Sequence, residues 1–151
     1  MKLVYLLTVG GALALPVKGA TPTSTYGQRI VAAVLMGEAR SEGESGMTAV
    51  AEVVHNRAVA HGRSPLEIVC RKGAFSCLNN KTPEQLYREH YRSPLFPAAL
   101  RISKTVYNTP EQLPGITHGA TFYDHKAAHP FWLNEVRLVA VLGEHAFYVP
   151  K

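Results

Sequence analysis

Residues 24–62 read STYGQRIVAAVLMGEARSEGESGMTAVAEVVHNRAVAHG, and this stretch decides the fold. Ser24 and Thr25 are helix-capping residues placed just before an apolar run. Ile30, Val31, Ala33 and Val34 recur at helical spacing, which predicts a helix over about 25–40. The run 41–46 (SEGESG) is polar and carries glycine, so it reads as a break. Met47, Val50, Ala51, Val54 and Ala58 then repeat at helical spacing, and Gly62 is a natural stop. Two helices joined by a short polar turn form the frame.

That frame singles out two charged side chains. On a helical wheel Glu38 falls beside Val31 and Val34, on the apolar side. A carboxylate there loses water, which raises its pKa and keeps it protonated near neutrality. A protonated carboxyl is what a general acid at a glycosidic oxygen requires. A structural salt bridge is the competing reading. Arg57 falls between Val50 and Val53, and a buried guanidinium needs a partner. Glu42 or Glu38 is the expected partner; otherwise the helix has ended and Arg57 reaches out to water.

Working toward the N-terminus, Met1-Lys2 is a short positive start. Uncharged, mostly apolar residues follow from Leu3 to Val17, and Lys18-Gly19-Ala20 closes on small residues. This is the layout of a secretory signal peptide over 1–20, leaving one domain over 21–151. The apolar run is too short for a stable membrane span.

Toward the C-terminus, a short helix is expected at 65–69. Another opens at Thr82-Pro83, and a third runs from near Ser93-Pro94 to about Tyr107. Residues 108–115 are rich in turn formers. Residues 120–123 and 136–142 read as strands, and 146–149 pairs back across Gly143-Glu144-His145. Helices first and a small sheet last make an α+β domain.

The bulk numbers agree with one globular domain. The chain has 151 residues, 46% hydrophobic and 18% charged; without the export segment roughly 130 remain, enough for a core. The net charge of +5 favours polyanionic partners such as nucleic acid, anionic lipid or a cell wall. The basic residues are scattered, with only Arg71-Lys72 adjacent, so nucleic acid is disfavoured. A monomer is the default.

The remaining chemistry is narrow. Cys70 and Cys77 lack CxxC spacing; after export they can close a small disulfide loop, with two free thiols as the alternative. His125 and His129 suit a metal only on a helix, and Pro130 argues against one, so no metal or cofactor is expected. Asp124 is the only aspartate, and ordinary glycosidases need two carboxylates. Glu42, Glu44 and Asp124 are candidates for the second, and none has a distinctive spacing to Glu38. Tyr123, Trp132 and Tyr148 are candidate walls for sugar rings. GxSxG, Walker A and GxGxxG motifs are absent.

Three blocks of sequence carry a resemblance. The first is 37–42 (GEARSE) with 46–57 (GMTAVAEVVHNR). The second is Ala74-Phe75-Ser76. The third comprises 118–123 (HGATFY), 130–132 (PFW) and 142–148 (LGEHAFY). Together they resemble the SleB/CwlJ-like cell wall hydrolases across about 30–148, with Ala74 standing where that family has glutamine. The resemblance implies a small α+β domain similar to goose-type lysozyme and lytic transglycosylases. It implies Glu38 as the catalytic residue, with cleavage between N-acetylmuramic acid and N-acetylglucosamine. It also implies a lytic transglycosylase of peptidoglycan, in which one carboxyl serves as acid and then as base; a hydrolytic muramidase is the close rival, and a non-catalytic peptidoglycan-binding protein of the same fold the other alternative. Glu42, Phe75, Ser76, Tyr123, Trp132 and Tyr148 are the expected substrate contacts, and Arg40, Asn56 and Arg57 the structural support.

Overall fold

The computed structural model describes residues 24–151. The export segment expected at 1–20 lies outside the described residues. The chain forms helices α1 (Tyr26–Ala39), α2 (Gly43–His61), α3 (Pro65–Cys70), α4 (Pro83–His90) and α5 (Phe96–Asn108). Strands β1 (Phe122–His125), β2 (Val136–Leu142) and β3 (His145–Pro150) follow. The architecture is α+β, as the sequence pattern requires.

α1 starts on a capping box. The Thr25 hydroxyl accepts from the Gln28 amide at 3.2 Å, and the Gln28 side chain accepts from the Thr25 amide at 2.9 Å. Sequence periodicity gave this helix one apolar face. The structure instead buries it nearly all round, from Ile30 through Met36 and again at Ala39. The other four helices surround it. A helix apolar on every side belongs at the centre of a domain, and Ala32 and Ala33 keep it slender there.

The polar run expected as a break is shorter than its composition suggests. Arg40–Glu42 forms one tight turn, and α2 already begins at Gly43. Gly43 has a φ of +66°, a conformation costly for any residue with a Cβ, and it swings the chain directly into α2. α2 ends on Gly62 in the left-handed region, as expected. Capping boxes at Ser64/Glu67 and Thr82/Gln85, each followed by proline, start α3 and α4. Among the described residues no helix is long and apolar enough to cross a membrane.

The strands form one antiparallel sheet in the order β1-β3-β2. Tyr123 pairs with Phe147, and the β2–β3 ladder shifts register between Leu138 and Ala140. Ala49 and Val53 of α2 pack against Ala120 and Phe147, which seats the sheet on the helical body.

A buried carboxylate fixes the approach to β1. Glu52 accepts from the amides of Ile116 (3.0 Å) and Thr117 (2.8 Å) and from the Thr117 hydroxyl (2.6 Å). The neighbouring Asn56 amide donates to the Ala120 carbonyl at 2.9 Å. Asn56 thereby ties α2 to the segment leading into β1. Glu52 was not foreseen, because an acidic residue inside an apolar repeat gives no hint of the backbone it will meet.

Candidate active site

Glu38 stands one residue before the end of α1, and both of its carboxylate oxygens are engaged. The Cys77 amide (3.0 Å) and the Ser76 hydroxyl (3.2 Å) donate to Oε1. The Tyr123 hydroxyl donates to Oε2 at 2.7 Å. These donors come from α1's neighbouring loop and from β1, so helical body and sheet converge on one carboxyl. Glu38 lies on the wall of a cleft of about 1140 Å³, with Arg57, Phe75, Ser76, Tyr123 and Trp132 also on its walls.

Gly37 makes that convergence possible. A Cβ built there would lie 2.7 Å from Cys77 Cβ and 3.0 Å from its sulfur. Only a bare backbone lets the 76–78 turn close enough for its amide to reach Glu38. Gly37→Ala is expected to lower stability by about 1–3 kcal/mol through overpacking, and to reduce wall degradation by loosening the Glu38 donors. Thermal melts and turbidity clearing of wall suspensions measure the two effects. Adding Cys77→Gly should restore part of both.

Tyr123 is held by its surroundings. Burial pushes its phenol well above the ordinary value, and the adjacent Glu38 carboxylate pushes further in the same direction. The hydroxyl therefore stays neutral and donating. Its ring stacks at 5.8 Å on Phe147 and meets His145 edge-on at 5.4 Å. A folded pKa above the unfolded value of about 10 means the neutral phenol stabilises fully below that pH. The contribution is lost as pH rises through the folded value. The stability gap between wild type and Tyr123→Phe is expected to narrow above about pH 10 in thermal melts. Tyr26, raised to about 12 chiefly by its hydrogen bond to Glu84, titrates alike in both proteins.

Arg57 does not pair with Glu42 or Glu38, as the sequence suggested. Its Nε donates to the Thr121 carbonyl at 2.7 Å and its Nη1 to the Ala74 carbonyl at 3.3 Å. Its guanidinium lies 5.2 Å from the centre of the buried Phe75 ring. The planar fork satisfies main-chain acceptors on two separate segments and so binds the loop to the strand. Burial lowers its pKa, while nearby Tyr123 and Glu38 oppose that shift.

Glu42 stands away from the cleft walls. Its Oε1 accepts from the Glu144 amide at 3.1 Å and lies 2.8 Å from His145 Nδ1. Glycines close on it from both sides. A Cβ at Gly46 would sit 2.5 Å from Glu42 Cβ, and one at Gly143 would sit 2.7 Å from Oε2. Glu42 thus clasps the α1–α2 turn to the β2–β3 hairpin and is not among the residues that line the cleft. Glu44 is exposed and paired with Arg101 at 2.6 Å. Of the three carboxylates considered beside Glu38, only Asp124 lines the cleft.

The aromatic expectations divide. Trp132 faces the cleft, with Phe122 at 5.4 Å and Tyr148 at 5.6 Å behind it. Tyr148 is buried and supports Trp132 instead of lining the cleft, because β3 is the central strand. Phe131, 95% exposed at the cleft, was not foreseen; its place before Trp132 was the available signal. Arg40 approaches His90 Nδ1 at 3.3 Å and so ties the end of α1 to α4.

The expected disulfide is not formed. Cys70 and Cys77 are free thiols. Cys77 is turned onto Gly37 beneath Glu38, and burial together with that carboxylate raises its pKa strongly. Cys70 stands at the end of α3 and is electrostatically coupled to Glu84, a different neighbourhood. His125 closes β1 and His129 lies beyond the following turn, so neither is on a helix.

A family model described as Cell Wall Hydrolase matches residues 41–148, starting just past Glu38. No curated relative and no solved structure matches the chain. The match takes in the α1–α2 turn, the Phe75-Ser76 loop and the whole sheet, which are the parts that build the cleft around Glu38, and on it the chain belongs to the Cell Wall Hydrolase family.

Proposed function

We propose that this protein cuts the glycan strand of peptidoglycan between N-acetylmuramic acid and N-acetylglucosamine, as a lytic transglycosylase with Glu38 as its single acid and base. Family membership makes it a peptidoglycan-degrading enzyme. The observation that carries the finer reading is the setting of Glu38, whose carboxyl lies on the wall of a sugar-sized cleft with three donors around it.

The proton and electron accounting closes on that one group. Glu38 gives its proton to the glycosidic oxygen as the C1–O4 bond breaks. The carboxylate left behind accepts from Cys77, Ser76 and Tyr123. The C6 hydroxyl of the same muramic residue then attacks C1, and its proton passes to Glu38. A C1–O6 bond has replaced C1–O4, the carboxyl is again protonated, and no water is consumed. Tyr123, kept neutral, positions the carboxyl, while Trp132 offers a face to a sugar ring. We read the fold as lysozyme-like on the same grounds, with a helix end delivering the acid and a small sheet forming the far wall. Residues 1–20 would export the protein to the wall, where it would act as a monomer.

Hydrolysis is the second reading, and Asp124 on the cleft wall favours it as a base for water. Mass spectrometry of fragments released from purified peptidoglycan separates the two. Anhydro-muramic ends are expected, with Asp124→Asn altering the rate less than about tenfold. Reducing muramic ends, together with inactivity of Asp124→Asn, would establish the hydrolase instead.

A further inference from the structure

Two cations at the cleft have no counterpart in the chemistry above. Arg71 and Lys72 follow α3 and line the cleft, next in the chain to Gly73 and Ala74, which line it too. Both are exposed. Among the described residues neither has a carboxylate within ion-pair distance. Arg71 is near enough to Arg57 to act on it electrostatically. Arg57 already commits its Nε and Nη1 to the Thr121 and Ala74 carbonyls, unlike these two. The acids on the cleft are Glu38, bound by its three donors, and Asp124, which accepts from the His125 amide at 2.7 Å.

The rings and acetamido groups of a glycan are neutral, and hydroxyl and amide groups do not call for two unpaired cations side by side. Carboxylates do, and in a muramyl glycan they occur only on the lactyl side. With the stem peptide attached, the lactyl carbonyl is an amide and the carboxylates belong to the peptide. With the peptide removed, the lactyl group itself carries the charge. Resting on the glycan-cleavage reading, we propose that Arg71 and Lys72 form a carboxylate-binding subsite that recognises the lactyl arm of a muramic residue, bare or extended by peptide. A guanidinium beside an ammonium suits this ligand, one offering a planar fork and the other a mobile point charge. The subsite makes the cleft selective for muramyl glycans over chitin-like strands of similar shape.

Calorimetric titration of the Glu38→Gln protein, which should hold substrate without turning it over, tests this directly. Four glycans of equal length serve as probes: peptide-bearing strands, peptide-stripped strands with free lactyl carboxylates, the same stripped strands methyl-esterified, and a chitooligosaccharide. The charged strands are expected to bind more tightly than the esterified and chitin-like ones. Adding Arg71→Gln and Lys72→Gln should weaken only the charged strands, by roughly five- to twentyfold at low salt, and should flatten the dependence on ionic strength. Preference for peptide-bearing strands alone assigns the stem carboxylates, and equal preference for stripped strands assigns the lactyl group. Equal binding of all four glycans, no effect of the double substitution, or no binding of any glycan would overturn the proposal. Both substituted residues are exposed, and unchanged thermal melts will show that the fold is intact. Charge-selective binding by a protein whose wild type releases no fragments would sink the cleavage reading and leave this subsite standing.

Discussion

Glu38→Gln is expected to abolish release of soluble fragments from peptidoglycan, with kcat falling by at least about a thousandfold. The substitution keeps the shape and the acceptor oxygen but cannot deliver a proton. Tyr123 can still donate to the remaining oxygen, while the amide nitrogen must face the Ser76 hydroxyl, which can turn to accept, and the Cys77 amide, which cannot. A small loss of stability, about 1 kcal/mol, follows from that one mismatched donor. Fragment release measured beside thermal melting therefore separates chemistry from folding. Retained turnover in a well-folded Glu38→Gln protein would remove Glu38 from the mechanism and turn attention to Asp124, the other acid on the cleft.

The largest expected loss of stability lies elsewhere. Glu52→Ala leaves the Ile116 amide, the Thr117 amide and the Thr117 hydroxyl without their acceptor inside the protein. Orphaned buried donors are costly, and a loss of about 2–4 kcal/mol is expected, with part recovered as the segment relaxes toward water. For a domain of this size that corresponds to a fall in melting temperature of roughly 6–16 °C. Glu52→Gln should be milder, since it keeps one acceptor oxygen. Activity should fall with stability, because the tethered segment leads straight into β1 and so sets the height of Tyr123. A Glu52→Ala protein that melts like wild type would show that Thr117 does not depend on this anchor.

These two residues also mark what a sequence can and cannot disclose. Local signals were strong for the elements. Thr25, Ser64 and Thr82 announce helix starts, Gly62 a helix end, and Gly143-Glu144 the hairpin. Glu38 was legible because it falls on an apolar helical face beside a recognisable motif. The periodicity of α1 was underestimated because alanine is ambiguous between a buried and an exposed position. The partners of Arg57, Glu42 and Glu52 were illegible for a single reason. Each binds main chain, on segments remote in sequence, and main-chain acceptors and donors leave no mark on residue identity. Cys70 and Cys77 misled because nearness in sequence says nothing of the side to which each thiol turns.

The clasp of Glu42 on the hairpin has a consequence for when the enzyme comes to exist. Glu42 reaches an amide 102 residues further along the chain, and the donors to Glu38 come from positions 38 to 85 residues away. β3, which follows β1 and β2 in the chain, is the central strand of the sheet that carries Tyr123. Contacts of such span form late, after loop closure over most of the chain. An unfolded molecule therefore holds Glu38 and its donors without the geometry that joins them. On the glycan-cleavage reading, a chain that has not yet closed these contacts would be inactive, whatever catalytic residues it carries.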